Sequence, residues 1–321
     1  MRSAVAGLAE AGRPRSATPA TVQDDARRRP HGDFKCNFLN YRCGGNAAAW
    51  MLMKGHLPEG LAAMEMYAEQ LMTEAPRDRN GIFCHPGFPG EERIWIDVAF
   101  AVTPFLLFAG LALRREDFVN EACAQTFNML DVLRNPENGL IHQALNFRGP
   151  GMLTEDHWGR GNGWALIALT ELVADLPQDH PARPKAEQRF DDLITACLRV
   201  RGPSGLWHQE LTEPDSYVET SGSGLILYAL GVGLETGRIA ETHRAVFDES
   251  LDCLLDYTTP QGDVFHTCRG CLSPGAGRKL DYMARAAVRN DPHAFGPIIL
   301  TLVQAHLLET GQGLASGARR S

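Results

Sequence analysis

The chain has 321 residues, 44% of them apolar, with a formal net charge of −8 and a pI near 5.8. That is enough apolar material for a sizeable core, and the acidic balance argues against nucleic acid or an anionic membrane as the main partner. No apolar run approaches the roughly 18 to 20 residues of a spanning helix.

Residues 1–30 carry six arginines against three acids and lack the continuous apolar core of a secretory signal. They read as a disordered extension ahead of a single domain over residues 31–321, and the cytoplasm is the expected location. Tyr41, in NFLNYRCGGN, is a candidate substrate contact and reads equally as surface packing. From there the apolar spacing is helical over Glu59–Thr73, Ile94–Leu113, Asp117–Leu133, Gly163–Leu176, Ala186–Arg199, Gly222–Thr236, His243–Tyr257 and Phe295–Glu309. The eight cysteines are scattered, so reduced thiols are expected in a chain too long to need disulfides. Cys268-Arg-Gly-Cys271 has zinc-like spacing without a second pair, so no metal is expected.

Between the helices a short phrase recurs. GIFCH starts at Gly81, GLIHQ at Gly139, GLWHQ at Gly205 and GDVFH at Gly262, at separations of 58, 66 and 57 residues. Each follows a helical stretch and a polar break, and each brings a histidine: His85, His142, His208 and His266. Two helices per repeat make a helical hairpin that buries its inner face only by stacking on its neighbours. The expected fold is therefore all-α, an (α/α)6 toroid of hairpins, incomplete or irregular before Gly81. A histidine packed into a turn is the bland reading of each copy; four equivalent loops on one rim favour a shared pocket.

The stretch WGRGNGW, Trp158 to Trp164, opens the fourth of these helices. Its glycines suit close backbone approach or positive φ, and Arg160 offers a fork for a carboxylate. Trp158 and Trp164 offer flat faces of the kind that stack on sugar rings, and Asn162 reads as a helix cap. An acidic sugar fits this set, with a capped helix over a packed tryptophan as the alternative.

WGRGNGWALIALTELV resembles the WxRGNGW stretch of the unsaturated glucuronyl and rhamnogalacturonyl hydrolases, glycoside hydrolase families 88 and 105. GEERIWIDVAFAVTPFLLFAG, DSYVETSGSGLILYALGVGLETGRI and NDPHAFGPIILTLVQAHLL resemble further family helices in the same order, so the likeness covers about residues 80–310. It implies an (α/α)6 barrel and a small oligosaccharide substrate bearing an unsaturated uronate. The chemistry it implies protonates the C4=C5 double bond and adds water at C5, with no cofactor. Such chemistry needs a carboxyl group protonated near neutral pH and a base for the water.

Asp97, in the apolar stretch IWIDVAFAVTPFL, matches the first functional aspartate of the family; an ion pair with Arg93 is its structural alternative. The second family aspartate follows the glycine-led loop, and there the chain has Asn146 in GLIHQALNF. Three readings stay open: the acid has moved to Asp156 or Glu155, the short loop aligns differently, or the activity is lost or altered. With Asp97 and Asp156 as catalytic candidates, the expected sugar contacts are Tyr41, His142, Asn146, His157, Trp158, Arg160, Trp164 and His208. The alternative to a hydrolase is a catalytically silent toroid that binds uronyl sugars or a protein partner.

Overall fold

The computed structural model describes residues 44–88, 90–269 and 277–311. The extension at 1–30, Tyr41 and Cys271 lie outside the described residues. In chain order the elements are α1 (Gly44–Met53), α2 (Leu61–Glu74), β1 (Ile94–Trp95), α3 (Asp97–Leu113), α4 (Glu116–Leu133), β2 (Ala144–Leu145) and α5 (Gly159–Asp175). They continue with α6 (Arg183–Arg199), α7 (Thr220–Glu235), α8 (Arg244–Leu255), β3 (Thr267–Cys268), α9 (Lys279–Met283), β4 (Ala287–Val288) and α10 (Pro292–Thr310). No described helix is long and apolar enough to cross a membrane.

Burial sorts the long helices into two layers. Along α3 every residue from Asp97 to Gly110 except Phe100 is buried, and along α7 every one from Thr220 to Leu234. Helices apolar on all sides belong inside. In α6 burial falls on Ala186, Phe190, Leu193, Ile194 and Cys197, the one-sided spacing of an outer helix. The inner row runs α1, α3, α5, α7, α10, each in contact with the next, while α2, α4, α6 and α8 pack outside it. The result is an all-α toroid of hairpins, as the repeat implies. The main core fills the space between layers, and a smaller one formed by Trp158, Trp164, Ile167, Leu225, Tyr228, Val232 and Tyr282 faces inward.

The recurring phrase is one turn in four copies. Gly81, Gly139, Gly205 and Gly262 all have left-handed φ, between 80° and 89°, which only glycine adopts without strain. Each turn is closed by a backbone bond from the residue starting it: Asp78 to Ile82, Asn135 to Leu140, Gly202 to Leu206 and Thr259 to Asp263, at 2.8–2.9 Å. Each turn leaves an outer helix and starts the return to an inner one. The N-termini of α3, α5, α7 and α10 therefore gather at one rim.

Two details differ from expectation. Ile94–Trp95 are strand, paired antiparallel with Ala144–Leu145, because a loop rather than a helical turn leads into α3. The GRGN residues after Trp158 are helical, so α5 begins at Gly159. Its glycines do not supply positive φ; they let helices touch. A β-carbon on Gly163 would meet Leu225 Cβ at 2.6 Å, and one on Gly222 would lie 2.7 Å from the Gly159 carbonyl carbon.

Candidate active site

The rim is built from the starts of α3, α5 and α7 and the hairpins before them. Asp97 is the first residue of α3 and is 1% exposed. The β1–β2 pairing and a bond from Ile96 N–H to the Gln143 carbonyl, 3.0 Å, seat it beside the His142 loop. Arg93 pairs with Glu91 at 2.6 Å, so the ion pair that offered a structural reading of Asp97 goes elsewhere.

Asp156 and His157 lie directly before α5, and the structure brings them together with His142. The His142 and His157 rings are 4.5 Å apart. Burial, with the His157 ring nearby adding to it, pulls the His142 imidazole down to about 4, so it is neutral at pH 7. Asp156 is fully buried, and burial, with the charge of Glu210 adding to it, pushes its carboxyl up to about 7. A carboxyl group so placed carries a proton near neutrality and can act as a general acid.

His157 was expected to meet sugar, yet its Nε2 is engaged by the protein. Asn135 Nδ2 stands 3.0 Å from it and Asn138 Nδ2 3.4 Å. Both amides are oriented by their own oxygens, which accept Glu137 N–H and Leu140 N–H at 2.9 Å. The Nε2 atom must therefore accept, and the ring proton sits on Nδ1, which faces Glu210 Oε1 at 3.7 Å.

Arg160 occupies a different setting from an open clamp. Its side chain is fully buried, stacked over Trp158 at 4.5 Å. It donates to Ser221 Oγ (3.0 Å) and the Cys268 carbonyl (2.9 Å), and it lies 3.9 Å from Glu219. Glu219 itself caps α7, accepting Ser221 N–H and Gly222 N–H, and also takes Cys268 N–H. The guanidinium is thus engaged within the protein and sealed from solvent. Trp158 and Trp164 both belong to the inward-facing cluster, Trp164 stacked on Phe100 at 4.2 Å. Asn162 is not the cap; its amide clamps both the N–H and the carbonyl of Ile141, at 2.8 and 3.0 Å.

Asn146 explains itself structurally. It is left-handed, with φ 69°, a conformation asparagine tolerates better than most residues. Its Nδ2 donates to the Glu92 carbonyl and its Oδ1 accepts Gly151 N–H at 2.7 Å, a donor-and-acceptor role no carboxylate can fill. His208 turns away from the His142 pair: its Nδ1 bonds the Ser216 carbonyl and its ring lies against Gly202. Among the described residues no cluster of histidine, cysteine or acids suits a metal ion, and the five described cysteines are free thiols.

Sequence reasoning passed over Glu210, Asn135 and Asn138. Asn135 and Asn138 stand in the polar break before a glycine turn, where turn chemistry hides any second role. Glu210 follows GLWHQ directly, and only its burial singles it out.

A family model described as Glycosyl Hydrolase Family 88 matches residues 15–308. Among curated proteins, the chain is 31% identical over 212 residues to the unsaturated rhamnogalacturonyl hydrolase YesR of Bacillus subtilis, 65% of this chain and 60% of that one. It is 29% identical over 153 residues to an unsaturated 3S-rhamnoglycuronyl hydrolase of Formosa agariphila, 44% of this chain and 41% of that one. The chain thus spans less than two thirds of the length of either relative. Among solved structures, a possible member of the GH105 family from Klebsiella pneumoniae superposes with a TM-score of 0.74 at 24% identity, covering 83% of this chain and 70% of that one. The unsaturated glucuronyl hydrolase of Bacillus sp. GL1 follows the same path with a TM-score of 0.62 at 15% identity, over 82% and 72% of the two chains.

Proposed function

Because the chain belongs to Glycosyl Hydrolase Family 88, we propose that it is a glycosidase of unsaturated uronyl oligosaccharides, of the kind left by lyase cleavage of pectin or a related polyanionic glycan. A proton goes to C4 of the C4=C5 double bond and water adds at C5. The resulting hemiketal opens and releases the neighbouring sugar. Asp156 supplies the proton and Asp97 is the second carboxyl group at the rim. Trp158, Arg160 and Trp164 are the seat of the uronate ring; His142, His157, Asn146, His208 and Tyr41 complete the expected contacts. The substrate is a small oligosaccharide, the reaction calls for no cofactor, and the expected location is the cytoplasm.

The observation that carries this reading is Asp156, a fully buried carboxyl group at the rim whose titration is pushed up to about 7. Ordinary aspartates are ionised there and cannot deliver a proton. The test follows the ultraviolet absorbance of the C4=C5 bond with a panel of unsaturated disaccharides. The expected result is decay with at least one of them, reduced by about 10²–10⁴-fold in Asp156→Asn. Folded protein that consumes none of them overturns the reading. Asn146, standing where the family has its second aspartate, favours a second one, a silent binder, which calorimetry would reveal as retention of an intact disaccharide.

A further inference from the structure

Two buried carboxyl groups at the rim stand in opposite chemical settings. Glu210 Oε2 accepts the His157 backbone N–H at 2.7 Å, and its Oε1 accepts the Thr212 hydroxyl at 2.8 Å. Both oxygens meet donors, which favours the ionised form. Asp156 is equally buried, yet neither of its oxygens closes a hydrogen bond. The Thr154 hydroxyl and the backbone N–H groups of Asp156 itself and Trp158 lie near enough to favour its charge, but none closes a bond to it. Two charges in such a place are costly, so one proton is kept, and it goes to the group with fewer donors. The backbone holds the pair in register: Gly159 N–H donates to the Gln209 carbonyl at 2.8 Å and Leu211 N–H to the His157 carbonyl at 3.1 Å.

We propose that Glu210 is the positioning residue of this rim: it keeps the negative charge, and thereby leaves the proton on Asp156 and the Nδ1–H of His157 turned toward itself. The other titratable groups close by are His142, pulled down to about 4, His157, and Lys279, whose ammonium donates to the Thr212 hydroxyl at 2.9 Å and to Glu213 at 2.8 Å. Glu155 points outward to Arg148 at 2.8 Å. The idea rests on the hydrolase reading above for its purpose, but not for its test.

Glu210→Gln keeps an acceptor for the His157 N–H while removing the charge. Infrared difference spectra over pH, with Asp156→Asn to assign the band, follow the protonated carboxyl group without any substrate. The expected result is an Asp156 acid band that persists to near neutrality in the native protein and vanishes at least about one pH unit lower in Glu210→Gln. The alkaline limb of kcat moves with it while KM stays within about twofold, a split that mere loosening of the fold does not produce. Should Glu210→Gln not fold, Thr212→Val, which removes one donor from Glu210, is expected to shift the band in the same direction by less. An unmoved midpoint, or no Asp156-dependent acid band at neutral pH in the native protein, overturns the proposal. A shifted band in a protein that consumes no unsaturated disaccharide upholds the pair and overturns the hydrolase reading instead.

Discussion

At the scale of single residues, Asn146 and Arg160 have much of their amide and guanidinium chemistry engaged within the protein. Asn146→Asp loses the donor to the Glu92 carbonyl and sets a carboxylate against it. A loss of about 1–3 kcal/mol in denaturant unfolding is expected, with no gain in turnover. Were turnover to rise instead, the family position would be catalytic after all. Arg160→Ala strands Glu219 without its cation, and a loss of about 3–5 kcal/mol is expected from the same measurement. The stretch WGRGNGW announced itself in the sequence, but what its arginine touches did not. Ser221 lies 61 residues away along the chain and the Cys268 carbonyl 108. Local spacing carries no record of such partners, and Glu210 escaped notice for the same reason.

At the scale of elements, the glycine turns were legible because the requirement is local: a left-handed residue must stand where the chain leaves each outer helix. The helix spans were legible through their apolar spacing, while α1 and α9 were missed because GGNAAAWMLM and KLDYM are short and weakly patterned. The purpose of the small residues starting α5 and α7 was not legible, since contact between two helices depends on the distance between them. Gly222→Ala places a methyl group against backbone that has nowhere to go, and a loss of about 1–3 kcal/mol is expected. Gly296→Ala, inside α10 with nothing within 4 Å, is the matched control. It is expected to be neutral or to gain about 0.5–1 kcal/mol. Equal losses in the two variants would mean that the α5–α7 contact is looser than the geometry implies.

At the scale of the whole molecule, raised carboxyl groups stand at both ends of α5. Asp156, before its first turn, is pushed up to about 7. Glu171, near its end, is pushed up to about 8 by burial and by Asp175, against Tyr228 and Lys54. A carboxyl group that binds its proton more tightly when folded adds stability below its unfolded value, and that stability is lost as pH rises through the folded one. Asp156 and Glu171 therefore weaken the fold from about pH 4 upward. His142, pulled down to about 4, acts oppositely, since its contribution is lost only as pH falls below the ordinary histidine range. Above that range only the carboxyl terms remain. The melting temperature is expected to fall between about pH 6.5 and 8, and the fall to flatten in Asp156→Asn. A melting temperature that climbs over that interval contradicts the assignment of these protons.

Among the described residues, the inner row places α5 and α7 between neighbours on both sides, with α1 and α10 first and last in the row. Helix α10 leaves Ile299 and Val303 59% and 45% exposed. Fraying in such an array starts at the margins, where each element has a single flank to lose. Amide hydrogens of α10 should exchange with deuterium well before those of α5 and α7. The rim residues would then ride on the slowest-opening part of the molecule, so damage at the borders would erode the protein long before it disturbed the chemistry.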